Sequence, residues 1–533
     1  MLKKISKFFK KIIFIFLIML LHISSNDCKL NLNNPSDPRS KSYFETAIWN
    51  AYLRSLCNPN LKGNVTLGSG SYFTAINDLK RIGEDIYFTA TVSEPVVWNG
   101  RTTGINFSFS GTTPTTNLIL VKINGRTFNI EWLDYLGTSN GSFQDTGYAS
   151  VYSFSNGDIG VSTIVTNTQT GSLSTKASDP APAVYVLRFS SEGHRRWTRY
   201  LNKSATEFNA GNGFVSVSDQ HDRIHIFYQT LNSSGTADTV GFSNMPTPIN
   251  QTSGILNKSE IGWATINGDG SENSQRFLVG NSGNTFPITL NTAVSSGSNL
   301  FLSGKTNDEI AGFTGHPSVG NTGSSVFMIS LNLDFTISNI RYYGDATGTG
   351  EANIAKMTID RDRIYALGAS NTTFGNPSQA FLSGSNDSLL YMRFDLMSNL
   401  VWHSFLGSST SGLINDPAIL AFEGRTYSVT SKVVGGFDGQ RFTGYNEISS
   451  GNSINLFPSV TARINPEDGK FHTLFYETNS DSTISASITR LRAFRHYQDV
   501  CFGRMVTAKN EFLDNGGNIG YIEVFTRPAN EEP

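Results

Sequence analysis

Residues 387–432 read DSLLYMRFDLMSNLVWHSFLGSSTSGLINDPAILAFEGRTYSVTSK, and this stretch contains the whole plan of the fold. A short strand runs into a polar turn, a strand bearing Trp402 follows, a Gly- and Ser-rich connection intervenes, and "RTYSVTSK" closes the unit. Apolar and β-branched residues alternate with small or polar ones over short runs bounded by turn residues, which is the pattern of half-buried strands.

Working outward, the opening strand-and-turn unit recurs. It reads "LILVKINGRT" from Leu118, "VYVLRFSSEG" from Val184, "GWATINGDGS" from Gly262, "VFMISLNLDF" from Val326, "LLYMRFDLMS" from Leu389 and "VTARINPEDG" from Val460. Aligning Ile123, Phe189, Ile266, Leu331, Phe394 and Ile464 gives spacings of 63 to 77 residues. A period of tens of residues marks an array of supersecondary units. A second unit, a turn followed by a strand, reads "GDIGVSTIV" from Gly157, "DRIHIFYQT" from Asp222, "SNLFLSGKT" from Ser298, "DRIYALGAS" from Asp362, "GRTYSVTSK" from Gly424 and "QDVCFGRMV" from Gln498.

The ends of the array complement one another. "EDIYFTATV" from Glu84 is a further second unit with no first unit before it, and "GYIEVFTRP" from Gly520 is a further first unit with no second unit after it. Joining them makes a seventh repeat, and a closed ring leaves no sheet edge open. The expectation is an all-β, seven-bladed β-propeller over 70–533, its closing blade shared by 70–117 and 515–526.

The 387–432 unit resembles the repeat of bacterial SBBP-type β-propellers, in which an "IYVTG"-like strand follows the Gly-rich turn. The resemblance extends loosely over residues 70–526. The segment "CKLNLNNPSDPRSKSYFETAIW", Cys28–Trp49, resembles the mature start of lipoproteins from leptospiral spirochaetes. Neither resemblance implies a particular ligand.

The start of the chain speaks of location. Lys3, Lys4, Lys7, Lys10 and Lys11 precede an apolar run from Ile12 to Ile23, and polar residues lead to Cys28. A basic start, a short apolar run and a polar exit make a secretory signal, residues 1–27, and the run is shorter than the roughly 20 residues of a membrane span. A Cys at this offset predicts cleavage before Cys28 and lipid attachment there, although Asp27 is untypical of such sites. Residues 28–42 read as a polar tether, and 43–69 as a linker that includes a helix over Tyr43–Leu56 with Phe44, Ile48, Tyr52 and Leu56 on one side. The expected location is the outer membrane or cell surface. Cys57 and Cys501 are the two thiols left, and ring closure predicts a disulfide between them in an exported protein.

Composition excludes some partners. Charged residues are 16% of the chain and the net charge is −2, so nucleic acid, which needs a basic stripe, is not expected. Polarity comes from Ser, Thr, Asn and Gly, the residues of turns.

The search for chemistry returns little. "GKT" at Gly304–Thr306 has Asn299 where a phosphate loop needs Gly, and it ends a strand. Four strand residues separate His221 from His225, about 13 Å, too far for one metal, and both are expected at the surface. "NGDGSEN", Asn267–Asn273, faintly suggests calcium but reads as a hairpin turn, as does "PEDG" at Pro466–Gly469. "GHRRW", Gly193–Trp197, is expected to be a solvated turn beside a core Trp. Phe242, Phe313, Phe374 and Phe437 recur at similar places and read as one packing anchor per blade, and Trp132, Trp197 and Trp402 as aromatics between blades. No catalytic residue, cofactor or metal ligand is assigned.

The expected function is therefore a non-enzymatic, monomeric, lipid-anchored binding protein that meets an envelope or host protein or glycan through loops. Ser93–Asn117, Leu231–Glu260 and Lys432–Ser459 are the longest loop candidates. The alternatives are a scaffold within the envelope and a hydrolase or lyase with its site at the channel mouth.

Overall fold

The computed structural model describes residues 65–67, 74–96, 116–125, 129–137, 149–177, 183–202, 214–231, 242–246, 259–278, 288–307, 313–317, 323–334, 336–381 and 388–406, a few positions between them, and, beyond 406, chiefly the strands up to 526 with the turn at 465–470. The expected signal peptide, lipidation site, tether and helix lie outside these residues, as does Cys57; no helix occurs among the described residues.

A short strand β1 (Val65–Leu67) comes first. Five four-stranded antiparallel meanders follow in chain order. Blade 1 is β2 (Thr74–Ile82), β3 (Asp85–Val92), β4 (Asn117–Ile123) and β5 (Ile130–Leu136). Blade 2 is β6 (Ala149–Ser153), β7 (Ile159–Val165), β8 (Ala183–Phe189) and β9 (Arg195–Asn202). Blade 3 is β10 (Phe214–Ser218), β11 (Ile224–Leu231), β12 (Ser259–Ile266) and β13 (Glu272–Leu278). Blade 4 is β14 (Thr289–Ser296), β15 (Asn299–Thr306), β16 (Ser325–Asn332) and β17 (Ile337–Tyr343). Blade 5 is β18 (Ala352–Asp360), β19 (Arg363–Ser370), β20 (Ser388–Asp395) and β21 (Leu400–Leu406).

Two sheets of different build complete the array. One joins β22 (Ala418–Phe422), β23 (Arg425–Thr430), β25 (Ser459–Ile464) and β26 (Phe471–Glu477), and β24 (Asn446–Glu447) adds to β26 in parallel. The other joins β27 (Ser487–His496), β28 (Cys501–Lys509) and β29 (Asn518–Thr526) to β1. First strands of successive sheets lie side by side, β2 on β6, β6 on β10, and so on to β22 on β27 and β27 on β2, which makes the fold a β-propeller.

This corrects the expectation of a seven-bladed propeller closed by joining 70–117 to 515–526: the blades number five, not seven. Five blades have the regular build, and the ends are used differently. "EDIYFTATV" is β3 and pairs with β4, so it belongs to a blade made wholly within 74–136. "GYIEVFTRP" falls in β29, which pairs with β28 and, through Val65↔Ile522, with β1. The physical reason is strand order. In every sheet the second unit is strand two and the first unit is strand three, so the apparent halves at the two ends are already in different sheets.

The aligned repeat residues mark a real register. Ile123, Phe189, Ile266, Leu331, Phe394 and Ile464 each lie at the end of strand three or one residue before it, beside a bulge that precedes the turn into strand four. All six are fully buried. Central strands such as β7 and β16 are buried almost throughout because each sheet is covered on both faces by its neighbours, whereas outer β17 alternates with exposed positions.

Candidate functional site

The two ends of the strands differ. At one end, strands one and two and strands three and four are joined by tight turns. At the other, strands two and three are joined by long connections: Val92 to Asn117, Val165 to Ala183, Leu231 to Ser259, Thr306 to Ser325 and Ser370 to Ser388. Each pair of residues is directly opposed across the sheet, so a short turn would suffice, and the extra chain all leaves from one face.

In all five blades a side chain of strand four grips the described part of that connection. The Tyr135 hydroxyl accepts from Val96 N at 2.6 Å, that of Tyr200 from Gln169 N at 2.7 Å, and that of Tyr342 from Ile310 N at 2.7 Å. Gln275 accepts from Phe242 N at 2.8 Å and donates to Pro246 O at 2.6 Å. His403 Nε2 donates to Phe374 O at 2.7 Å while its ring stacks on Phe374 at 4.7 Å. Buried backbone groups need partners, and these side chains supply them as the connection turns back over the outer strand. Phe242 and Phe374 are buried, in keeping with packing anchors; Phe313 is partly buried and Phe437 lies outside the described residues. Sequence reading found the Phe residues but not their Tyr, Gln and His partners, because four different residue types share one role.

The opposite face is braced from blade to blade. Trp132 Nε1 donates to Ser191 O at 3.0 Å, Trp197 Nε1 to Gly268 O at 2.9 Å and Trp402 Nε1 to Pro466 O at 2.9 Å, each reaching the strand three-to-four turn of the next sheet. Arg188 and Arg393 add 2.6 Å bonds to Gly268 O and Pro466 O. The expected aromatics between blades are therefore also interblade donors, as an indole N–H requires when buried.

Gly270 sits under Trp197 with φ of +88°, and a Cβ there would lie 2.9 Å from the indole. Gly157 has φ of +84° with open space around it. Gly270→Ala is expected to destabilise by about 1–3 kcal/mol and by more than Gly157→Ala, since only the former adds a clash to backbone strain. Urea unfolding of the two variants checks this.

Two buried charge sites complete the interior. Asp134 and Arg195 form a two-pronged pair between blades 1 and 2, at 2.7 and 3.0 Å, with side chains 0% and 4% exposed. Burial pushes the Asp134 carboxyl up against the pull of Arg195. The "GHRRW" expectation is corrected here: Arg195 is a buried bridge, and Arg196 is the exposed one at 56%.

In blade 3, Asp219 Oδ2 lies 3.0 Å from His225 Nε2, and Trp263 Nε1 donates to His225 Nδ1 at 3.1 Å. An indole nitrogen only donates, so Nδ1 accepts and the proton sits on Nε2, facing Asp219. Burial works against the Asp219 charge, but bonds from His225 and from the backbone N–H groups of Arg223 and His221 hold it well below the usual carboxylate range. Burial holds His225 below its ordinary value. The expectation that both histidines lie at the surface on one strand face is corrected: His221 is in an exposed turn and His225 is fully buried in β11.

"NGDGSEN" is a hairpin turn. Asp269 Oδ1 accepts from Ser271 N and Oγ, and Asn273 Nδ2 donates to Asn267 Oδ1. "PEDG" is likewise a turn, with Asn465 and Asp468 accepting from Glu467 N and Lys470 N. In "GKT", Lys305 lies in β15 and meets Glu351 at 3.3 Å. Among the described residues no three His, Cys, Asp or Glu side chains come together as a metal site.

No known protein family and no curated protein matches this chain by sequence. Several solved structures align with it. The β-propeller domain of the Trilobed protease from Pyrococcus furiosus is 7% identical, the match covering 86% of this chain and 100% of that one with a TM-score of 0.39. A mutant of the NanB sialidase from Streptococcus pneumoniae is 9% identical, with 86% and 94% covered and a TM-score of 0.37. Quinohemoprotein alcohol dehydrogenase from Comamonas testosteroni is 9% identical, with 89% and 79% covered and a TM-score of 0.36. At this level of similarity no activity or ligand transfers to the present chain.

Proposed function

We propose that this protein is a binding protein, held at the cell envelope by lipid on Cys28, that recognises a protein or glycan through the long connections on one face of the propeller. The observation that supports this reading most directly is the asymmetry of the faces. Five blades place every long strand two-to-three connection at one end, while the other end is closed by tight turns and interblade bonds. Variable loops on a braced scaffold are a common arrangement for recognition. The resemblance of the repeat to SBBP propellers and of Cys28–Trp49 to leptospiral lipoproteins supports the location.

The test follows the grip residues. Replacing all of 231–260 would remove Phe242, which packs on Tyr228 at 4.8 Å and satisfies Gln275, so the fold itself would suffer. Exchanging only 247–258 for a short Gly/Ser link leaves that anchor in place. Capture of any partner identified from envelope extract or matrix protein is expected to fall while the melting temperature holds. Capture unchanged in this variant and in an equivalent variant of 97–108 overturns the loop-face reading. Separately, Cys28→Ala is expected to move the protein from the detergent phase to the soluble fraction, and continued detergent partitioning overturns lipid anchoring.

A further inference from the structure

Of the five grips on the long connections, one carries a group that gains a proton near neutral pH. The Tyr135, Tyr200 and Tyr342 hydroxyls and the Gln275 amide gain none there, whereas the grip of blade 5 is a histidine, His403 of β21. Residues 371–381 lie over the outer edge of that blade. Asn371 N donates to Glu351 O at 3.0 Å and ties down their start. Further on, Ser378 N donates to His403 O at 2.8 Å and Phe405 N to Gln379 O at 3.1 Å, so Gln379 runs parallel to Ser404 as a short extra strand. His403 itself is 3% exposed. Its ring lies flat on Phe374 and edge-on to Phe405, with centroids 4.7 and 5.5 Å apart. Gly375 follows with φ of +54°, and a Cβ there would lie 3.4 Å from His403 Cε1, so the backbone of the connection presses against the imidazole.

The surroundings of the ring are apolar. Met392 lies opposite His403 across the sheet, followed by Ala366 and Met357, while Arg393 lies opposite Trp402. Phe374, Met392, Phe405, Ala366 and Met357 belong to one buried cluster. Glu351, at the start of the connection, meets Lys305 at 3.3 Å. Burial holds His403 below the ordinary histidine value and outweighs the Phe374 carbonyl, and no charged side chain adds to either. Because Phe374 O accepts from Nε2, a second proton enters at Nδ1 and leaves a cation among Phe and Met side chains.

We infer that residues 371–381 form an acid-released strap over blade 5, with His403 as its catch. When the strap lifts, His403 reaches water and takes up a proton readily, so acid favours the open form. Opening uncovers Phe374 and the edge of β21 at Phe405, an apolar surface with freed backbone groups that the strap covers at neutral pH. The blade 2 connection is gripped by Tyr200 and has no histidine between residues 166 and 183, so it does not respond. The inference goes beyond the binding reading and does not depend on it, since the strap opens or stays shut whether or not a partner is present.

Hydrogen exchange of the whole purified protein, read by mass spectrometry between about pH 7.5 and 5.5 and corrected for the intrinsic rate at each pH, tests it. With one proton taken up per opening, protection of 371–381 is expected to fall up to about tenfold per pH unit below about 6.5, while that of 166–177 stays within about twofold. His403→Gln keeps a donor for Phe374 O and cannot take the proton, so in this variant protection of 371–381 is expected to stay within about twofold over the same range. Equal loss of protection in the two segments, or loss in neither, overturns the strap, and so does a folded His403→Gln variant that keeps the wild-type acid response. The comparison of the two segments within the wild type needs no variant, so it decides the matter even if His403→Gln fails to fold. Partner capture by the 247–258 exchange is a separate readout, so the strap and the loop face can fail independently.

Discussion

Asp134→Ala is expected to lower the unfolding free energy by about 3–5 kcal/mol, the largest loss we anticipate from a single polar residue. The reason is what stays behind. Arg195, 4% exposed, would lose the two-pronged bond to its carboxylate while the bonds to the carbonyls of Thr170 at 2.8 Å and Tyr135 at 3.2 Å bring it no opposite charge. Much of the loss is the cost of a buried charge whose carboxylate has been removed. The double variant Asp134→Leu/Arg195→Met, which replaces the pair with apolar side chains, is therefore expected to recover most of the stability. Urea unfolding of wild type, Asp134→Ala, Arg195→Ala and the double variant settles this. If Asp134→Ala stays within about 0.5 kcal/mol of wild type, the size of change typical of an uninvolved surface substitution, the pair is not a junction between blades 1 and 2.

Stability is expected to fall as the pH drops below about 6.5, the ordinary histidine value, and not to fall between pH 7 and 8. The sign follows from the buried histidines. His225 is held neutral by burial, and its Nδ1 is occupied as an acceptor, so the folded protein resists a proton that the unfolded chain takes up readily. A depressed folded value gives stability that is complete above 6.5 and is lost as the pH falls towards the folded value. Through that window His225 alone contributes up to about 1.4 kcal/mol per pH unit. His403, held low by burial although it donates to Phe374 O, acts in the same direction. Further acid would add to the loss by protonating Asp219, whose value is also depressed. Melting temperatures across pH 5–8 test the expectation. His403→Gln, which keeps a donor for Phe374 O, should flatten the curve without removing it, and a flat wild-type curve would overturn the neutral assignment of His225.

How much of this was legible beforehand differs from residue to residue. The six positions from Ile123 to Ile464 could be aligned from sequence because a buried strand end beside a bulge tolerates only large apolar side chains. The Trp residues were legible for the same reason, since few other side chains fill the space between blades and also present a single donor. The Tyr, Gln and His grips were not, because a hydroxyl, an amide and an imidazole can each satisfy a loop's backbone and leave no repeated letter to find. Arg195 read as a solvated cation because its counterion is 61 residues away in the preceding blade.

By itself, then, the sequence determined the all-β class, the repeat and the residues that fill each blade. These are local properties: alternation, turn chemistry and volume act over a few residues and recur wherever the unit recurs. Tertiary structure alone decided which strands share a sheet, that five blades are regular and two sheets are not, that Val65–Leu67 rather than 70–117 completes the last sheet, and which charges meet across blades. Pairing at the ends of the chain depends on which strand edge is left free once every other strand has found its neighbours. That edge is fixed by the closure of the whole ring and by no segment within it.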